Sequence, residues 1–454
     1  MTDRNNRFPA SAYGLTVTGL FLCALLTLLI FGSSAGAAIA DREVLPNGLT
    51  LLHTEKKALP IIRVVIAVKA GSVAETSAKA GLAHLTADLL NEGTTKRSSK
   101  EISEAIEFVG GSLQTSGGAD YMTVSLSVLK KDMNLGFDLL SDILLKPAFS
   151  DQEIKRRKTI IKGVIQQQRE EPGIVASKAF LAELFGDHPY GWPVEGTEDT
   201  LDAITRQDIV DFHKAYYAPN NAIMAVVGDI SRDELMGMIN RFFGGWDRRD
   251  TPGKKLPELR RITRPNVIKI QKDITQANII LGHSGIARDN PDYYAVTVMN
   301  YILGGGGFAS RLVDNIRDNK GLSYDVHSFF SPQKYAGTFQ AGLQTKNETA
   351  QVAIDEVLRE MERIRTELVS SRELDDAKAY LTGSFPLRVD SNSKIAGFLI
   401  SIEFYGLGLD YIDTYTQHIQ KVSREDVQRV AKKYLNIEDY LLVIVGNINK
   451  TKLR

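Results

Sequence analysis

The sequence predicts an α+β protein of two homologous domains, each an antiparallel-rich sheet with helices, related by internal duplication. Three observations carry that expectation. First, TRQDIVDFHKAYYAPNNAIMAVVGDI, residues 205–230, aligns without a gap to SREDVQRVAKKYLNIEDYLLVIVGNI, residues 423–448. Each copy places a hydroxyl (Thr205, Ser423) three residues before an acid (Asp208, Asp426). Each then runs through an amphipathic stretch to a tyrosine (Tyr216, Tyr434) and ends an apolar run in glycine (Gly228, Gly446). That is a helix-start box, a helix, a turn and a buried strand, twice over. Second, the order strand, helix, helix, strand, long helix occurs in both halves. Third, residues 247–264 are charged, carry prolines and lack an apolar period, which reads as an interdomain linker.

Taken in order, residues 1–40 form a leader. Arg4 and Arg7 precede the apolar run LTVTGLFLCALLTLLIF and the small residues GSSAGAAIA, the pattern of an export signal with A-x-A sites ending at Ala37 or Ala40. The run is slightly long for such a signal, so retention as an N-terminal membrane anchor is the alternative. Either way the body is expected in the periplasm. The one cysteine, Cys23, lies in this run behind Leu22, which is too large for a lipoprotein cleavage site. A mature chain without the leader has no thiol, which excludes cysteine nucleophiles, thiolate metal sites and disulfides.

The first domain spans 41–246. Ser98 and Glu101 form a capping box for a helix with Ile102, Ala105, Ile106 and Val109 on one face, stopped at Gly110 and Gly111. Met122, Val124, Leu126 and Val128 alternate with Thr123, Ser125 and Ser127, a half-buried strand. The second domain, 265–454, repeats the order through ANIILGHSG, YYAVTVMNYIL, AGTFQAGLQT and ETAQVAIDEVLREMERI.

A chain of 454 residues, 43% hydrophobic and 24% charged, is long enough for two full cores. Basic and acidic residues both total 55, so no basic field gathers nucleic acid. The run of four glycines at Gly304, Gly305, Gly306 and Gly307 lacks the Lys-Ser/Thr of a phosphate loop. Outside the leader, whose small-residue stretch reads GSSAG, no Gly-x-Ser-x-Gly elbow suggests a serine hydrolase. His53, His188, His213, His283, His327 and His418 have no ligand spacing and read as surface or core. The clusters KKDMNL and EIKRRKTIIK read as solvated faces.

LPNGLTLL near the mature start, AGLAHLTADLLNEGT, HPYGWPVEGT, the VVGDI strand end and NYILGGGGFASRLVDNIRDNKGLSYDV together resemble the pitrilysin or insulinase-like zinc peptidases. The branch is that of the processing peptidases and their bacterial relatives, and the likeness runs over roughly 41–450. The resemblance implies two α+β domains that pair with two more, usually from a second subunit, into a clam-like chamber around a peptide.

Active members carry H-x-x-E-H on a helix and a distal Glu, two imidazoles one turn apart on zinc with the Glu activating water. Here that window reads His84-Leu85-Thr86-Ala87-Asp88. The first ligand position is kept, the base is Ala87, and the second ligand is Asp88. The distal position, eight residues before Pro172, is Val164; Glu170 lies six residues on, about 9 Å along a helix. His84, Ala87, Asp88 and Val164 thus mark a degenerate zinc site, with no catalytic residue and no metal expected in this chain.

In bacterial pairs of this family the subunit without the zinc motif supplies an Arg and a Tyr to the substrate, and Arg317 and Tyr324 match those positions. The competing reading is that Arg317 caps a helix end and Tyr324 begins a strand packed on the core. The resemblance also implies that Gly304 to Gly307 form a flexible loop beside the chamber. The expected function is an exported, non-catalytic subunit that pairs with a zinc-bearing homologue, zinc sitting in the partner, and helps bind peptides for proteolysis. The alternatives are a stand-alone metallopeptidase with an atypical site, a peptide-binding module, or a structural envelope protein.

Overall fold

The computed structural model describes residues 39–259 and 262–453; the leader and Cys23 lie outside the described residues, apart from Ile39 and Ala40. Among the described residues no helix is long and apolar enough to cross a membrane.

Six strands form the first sheet: β1 (Asp41–Val44), β2 (Thr50–Glu55), β3 (Ile61–Val68), β4 (Ser112–Ser116), β5 (Met122–Leu129) and β6 (Ala222–Gly228). Their order is β1-β2-β6-β3-β5-β4, antiparallel except for the parallel pair β2–β6. The second sheet holds β7 (Asn266–Gln271), β8 (Gln276–Ser284), β9 (Ser323–Pro332), β10 (Gly337–Lys346) and β11 (Leu441–Gly446). Its order is β7-β11-β8-β10-β9, antiparallel except for β7–β11. With β1 set aside, the two sheets have one order and one sense. The strands of the repeated segments, β6 and β11, take equivalent central places and are buried throughout.

Seven helices position the parts that matter below: α1 (Leu82–Leu89), α2 (Asp151–Glu170), α3 (Pro172–Phe185), α4 (Arg206–Tyr216), α5 (Tyr293–Asn300), α6 (Asn392–Tyr405) and α7 (Arg424–Tyr434). The start boxes read from sequence form as expected. Thr205 Oγ1 accepts from Asp208 N at 3.2 Å for α4, and Ser423 Oγ accepts from Asp426 N at 3.0 Å for α7. In β5 the apolar set Met122, Val124, Leu126 and Val128 is buried, because a period of two sends alternate side chains to one face.

Residues 39–454 pack as one compact unit, and the reason is an exchange of helices. Helix α3 follows directly on α2 in the first half but packs on β8 and β11 of the second sheet, where Ala176, Phe180 and Leu184 meet Leu441, Val443 and Val445. Helix α6 of the second half packs on β3 and β6 of the first sheet, adding Ala396, Leu399 and Ile400 to Val65, Ala67, Ile223, Ala225 and Val227. Gly282 makes room for the exchange, since a Cβ there would lie 2.8 Å from Phe180 Cζ. Polar ties follow the apolar ones. Arg42 Nε and Nη2 each donate to Glu403 at 2.9 Å. Buried Asp120 accepts from Tyr190 Oη at 2.5 Å, Tyr405 Oη at 3.2 Å and Lys334 N at 3.3 Å.

Phe180→Ala is expected to cost about 3–5 kcal/mol, the usual loss for emptying an aromatic core site. Both tryptophans, Trp192 and Trp246, lie in the first half, while the new cavity opens against the second sheet. Urea unfolding followed by tryptophan fluorescence and by far-UV circular dichroism should therefore shift together. Two separate transitions would refute the interlock.

Candidate functional site

The helix that carries the degenerate motif, α1, begins at Gly81, whose φ of 95° is one that glycine adopts without strain. No side chain at that cap satisfies the first amides. Buried Glu75 does so instead, accepting from Gly81 N at 3.0 Å and Ala83 N at 2.5 Å. Burial pushes the Glu75 carboxyl up to about 7, against the pull of these two amides.

One turn apart on the same side, His84 Nε2 and Asp88 Oδ2 are 3.6 Å from each other. The charge opposite Asp88 comes from α2. Arg157 Nε donates to Asp88 Oδ2 at 3.0 Å, and Arg157 Nη1 is 3.7 Å from Glu92 Oε1. Arg156 extends the network to Glu92 and, at 2.6 Å, to Glu153. Ala87 is fully buried, and Gly117 closes over His84, since a Cβ at Gly117 would sit 2.7 Å from His84 Cα. His84 Nδ1 is left buried and without a hydrogen-bond partner among the described residues.

Val164 is 45% exposed on the outer part of α2. Glu170 turns away to pair with Lys272 at 3.0 Å. Among the described residues no group of three or more His, Cys, Asp and Glu is placed to hold a metal. These residues do not fit zinc: the base is a methyl group, the distal ligand is an isopropyl group, and a guanidinium already occupies the carboxylate of Asp88.

The expectation that EIKRRKTIIK is a solvated face needs correction. Besides Arg156 and Arg157, Lys158 Nζ donates to Ile204 O at 2.5 Å and Lys162 pairs with Asp202 at 2.6 Å. A signal for Arg157 was present, because it stands seven residues before Val164 and so on the same face of α2. Its partner was not readable, being 69 residues distant.

The other predicted residues gather at the second half. Arg317, Tyr324, Gly304, Gly305 and Gly307 line a cleft of about 680 Å³, joined by Phe308 and by Asp325, His327 and Phe329 of β9. Gly306 is not among the lining residues. A smaller cavity of about 300 Å³ shares Asp325, His327 and Phe329 and reaches Gly173 and Ser177 of α3.

Of the four glycines expected in a flexible loop, Gly304 and Gly305 are helical instead, while Gly306 and Gly307 turn the chain out of that helix. Tyr301–Gly305 is a π-helical turn continuing α5, and a second π-helical segment, Val313–Asn319, carries Arg317. Three of the four are constrained by contact, while Gly307 stands in open space at a φ of 56°. A Cβ at Gly304 would be 2.6 Å from Ser328 N, one at Gly305 2.6 Å from Asn300 Nδ2, and one at Gly306 2.8 Å from Tyr301 O. Asn300 and Ser328 lock this wall to β9 with reciprocal bonds of 3.1 and 2.9 Å.

Arg317 lies between two rings, its Cζ 4.5 Å from the Phe308 centroid and 4.9 Å from that of Tyr324. Its nearest carboxylate, Asp318, is 4.0 Å away. Tyr324 stands at the start of β9, a strand whose Val326 is buried in the core, but its own ring is 85% exposed, as Phe308 is 77%. Sequence reasoning missed Phe308, and it missed that His327, with Asp325 3.4 Å away, faces the cleft.

Two outcomes follow for the first site. Because the folded-state pKa of Glu75 is raised, the native state binds the extra proton, and stability falls as pH rises from about 4.5 to 7 by on the order of 3 kcal/mol. Buried neutral His213 and His283, both held down to about 4, act in the opposite sense, so the difference between wild type and Glu75→Gln isolates the carboxyl. Melting at pH 5, 6, 7 and 8 should show that difference growing up to pH 7 and then level. Separately, Arg157→Met should cost about 1–3 kcal/mol by stranding Asp88, and Asp88→Asn added to it should recover most of the loss. Additive losses in urea unfolding would mean that the pair is not coupled.

Comparison with known proteins bears on the same residues. The family model described as "Insulinase (Peptidase family M16)" matches residues 52–198, and that described as "Peptidase M16 inactive domain" matches 203–381. The uncharacterized zinc protease ML0855 of Mycobacterium leprae is 30% identical, over 89% of this chain and 91% of its own length. The non-peptidase homolog YmxG of Helicobacter pylori is 26% identical over 95% of this chain and 99% of its own. Among solved structures, the peptidase M16 inactive domain from Pseudomonas fluorescens is similar, with a TM-score of 0.84 at 29% identity, covering 90% of this chain and 98% of that one. With both sheets, the degenerate motif helix and these matches in agreement, the chain belongs to the insulinase, or M16, peptidase family.

Proposed function

We propose that this chain is an exported, non-catalytic subunit that pairs with a zinc-bearing homologue and holds peptide substrate against the partner's metal. One observation carries the reading. The motif helix is closed by the Arg157–Asp88 ion pair, while Arg317 is presented between Phe308 and Tyr324 at an open cleft, its carboxylate neighbour Asp318 no nearer than 4.0 Å. Stacking on two rings fixes the plane of the guanidinium without using its N–H groups, which stay free to donate in pairs to a peptide carboxylate or carbonyl. The exposed phenol of Tyr324 can donate to a carbonyl oxygen or to an oxyanion formed beside it.

The close-packed glycine turn gives this wall rigidity, which lowers the ordering cost of binding. Zinc and the general base belong to the partner, and the peptide adds as a strand to a sheet edge of the partner. The name non-peptidase homolog, given to the Helicobacter relative, supports a helper role, and the arginine-led apolar leader supports export.

The test is peptide cleavage by the mature chain alone and mixed with the zinc-bearing homologue, with and without a chelator. Chelator-sensitive activity is expected only on mixing, above that of the homologue by itself. Arg317→Ala should lower that turnover about ten- to a hundredfold with the melting point unchanged, as for a lost charge-assisted bond. Activity from this chain alone, or full activity in the Arg317 variant, would overturn the proposal.

A further inference from the structure

A second cavity, chemically unlike the peptide cleft, lies where the two halves and the linker meet. It encloses about 230 Å³, and its wall includes Lys69 just past β3, Lys254 of the linker and Lys334 of the β9–β10 turn. The three ammonium groups come from three separate segments, and none has a carboxylate partner among the described residues.

The acids within reach are already engaged. Asp120, the one carboxylate in the wall, accepts from Tyr190, Tyr405 and the Lys334 amide. Glu403 has both oxygens on Arg42 at 2.9 Å. Glu75, which faces Lys254, turns its oxygens to the first amides of α1. What the lysines touch instead are rings: Lys334 Nζ is 4.5 Å from the Phe404 centroid and Lys254 Nζ 5.8 Å from that of Trp192. Burial and the neighbouring Lys334 hold Lys69 below the ordinary lysine range, so the cations sense each other.

Three lysines around one concavity, with a single carboxylate whose hydrogen-bond partners are all neutral, leave an excess of positive charge there. We propose that this cavity is a binding site for a small oxyanion of two or more negative charges, a pyrophosphate or a compact polycarboxylate, held by Lys69, Lys254 and Lys334. The size excludes a polymer, and three cations favour a multivalent ligand over chloride. Tyr335 in the same wall can add a neutral donor. Since its ligands come from both halves and the linker, a bound anion would clamp the linker onto the junction. This inference is independent of the peptide-binding role.

Isothermal titration of the mature chain with pyrophosphate, and separately with citrate, at matched ionic strength tests it. Saturable binding of one anion per chain is expected, with Kd below about 1 mM for at least one of the two. Which of the two binds identifies phosphate or carboxylate as the source. K69M/K334M should weaken binding at least tenfold. K254M, in the exposed linker where folding is not at stake, should weaken it several-fold, and R317A should leave it unchanged. Absence of saturable heat with both anions up to about 10 mM, or equal binding by K254M and wild type, overturns the proposal.

Discussion

The exchange of α3 and α6 between the halves is the constraint on which the rest of the molecule depends. A sheet buried on both faces needs two layers of apolar cover, and each half supplies only one layer for its own sheet. The second comes from Phe180 and its neighbours in one direction and from Ala396, Leu399 and Ile400 in the other. Neither β6 nor β11, apolar at every position, could face water without this cover. Asp120, bonded by Tyr405, and Glu403, bonded by Arg42, add polar ties between the halves.

The exchange also links the two candidate sites. Helix α2 brings Arg157 to Asp88 and leads at Pro172 into α3, which inserts against the second sheet and forms one end of the trough that Asp325, His327 and Phe329 line. The wall that carries Arg317 is fixed from the other side, by the close approach of the Gly304 backbone to Ser328. A side chain at Gly304 would push the π-helical turn off β9, and side chains at Gly305 or Gly306 would meet Asn300 and Tyr301 of the preceding turn, so these three glycines act through packing.

Within the motif helix the electrostatic problem is the same as in an active relative, with a different solution. A carboxylate on a mostly buried helix face needs a positive charge nearby. Zinc meets that need in a hydrolytic site, and here a guanidinium from the same long helix does so. The substitution explains why Asp88 is tolerated opposite His84 although the base and the distal ligand are gone. It also places a permanent cation, which cannot polarise or deprotonate water as a metal ion does, at the position where the chemistry would occur.

The sequence by itself determined the fold class, the paired segments at 205–230 and 423–448, the capping boxes, the alternation of β5 and the family, along with the register of His84, Ala87 and Asp88. All of these rest on spacing within a turn or two of helix or a few residues of strand, where geometry is local and periodic. Tertiary structure alone decided that Arg157 answers Asp88, that Phe308 and Tyr324 flank Arg317, that Gly304 and Gly305 end a packed π-helical turn, and that three lysines line one cavity. Those contacts join residues far apart in the chain, and no local period carries information about which distant side chain will arrive opposite.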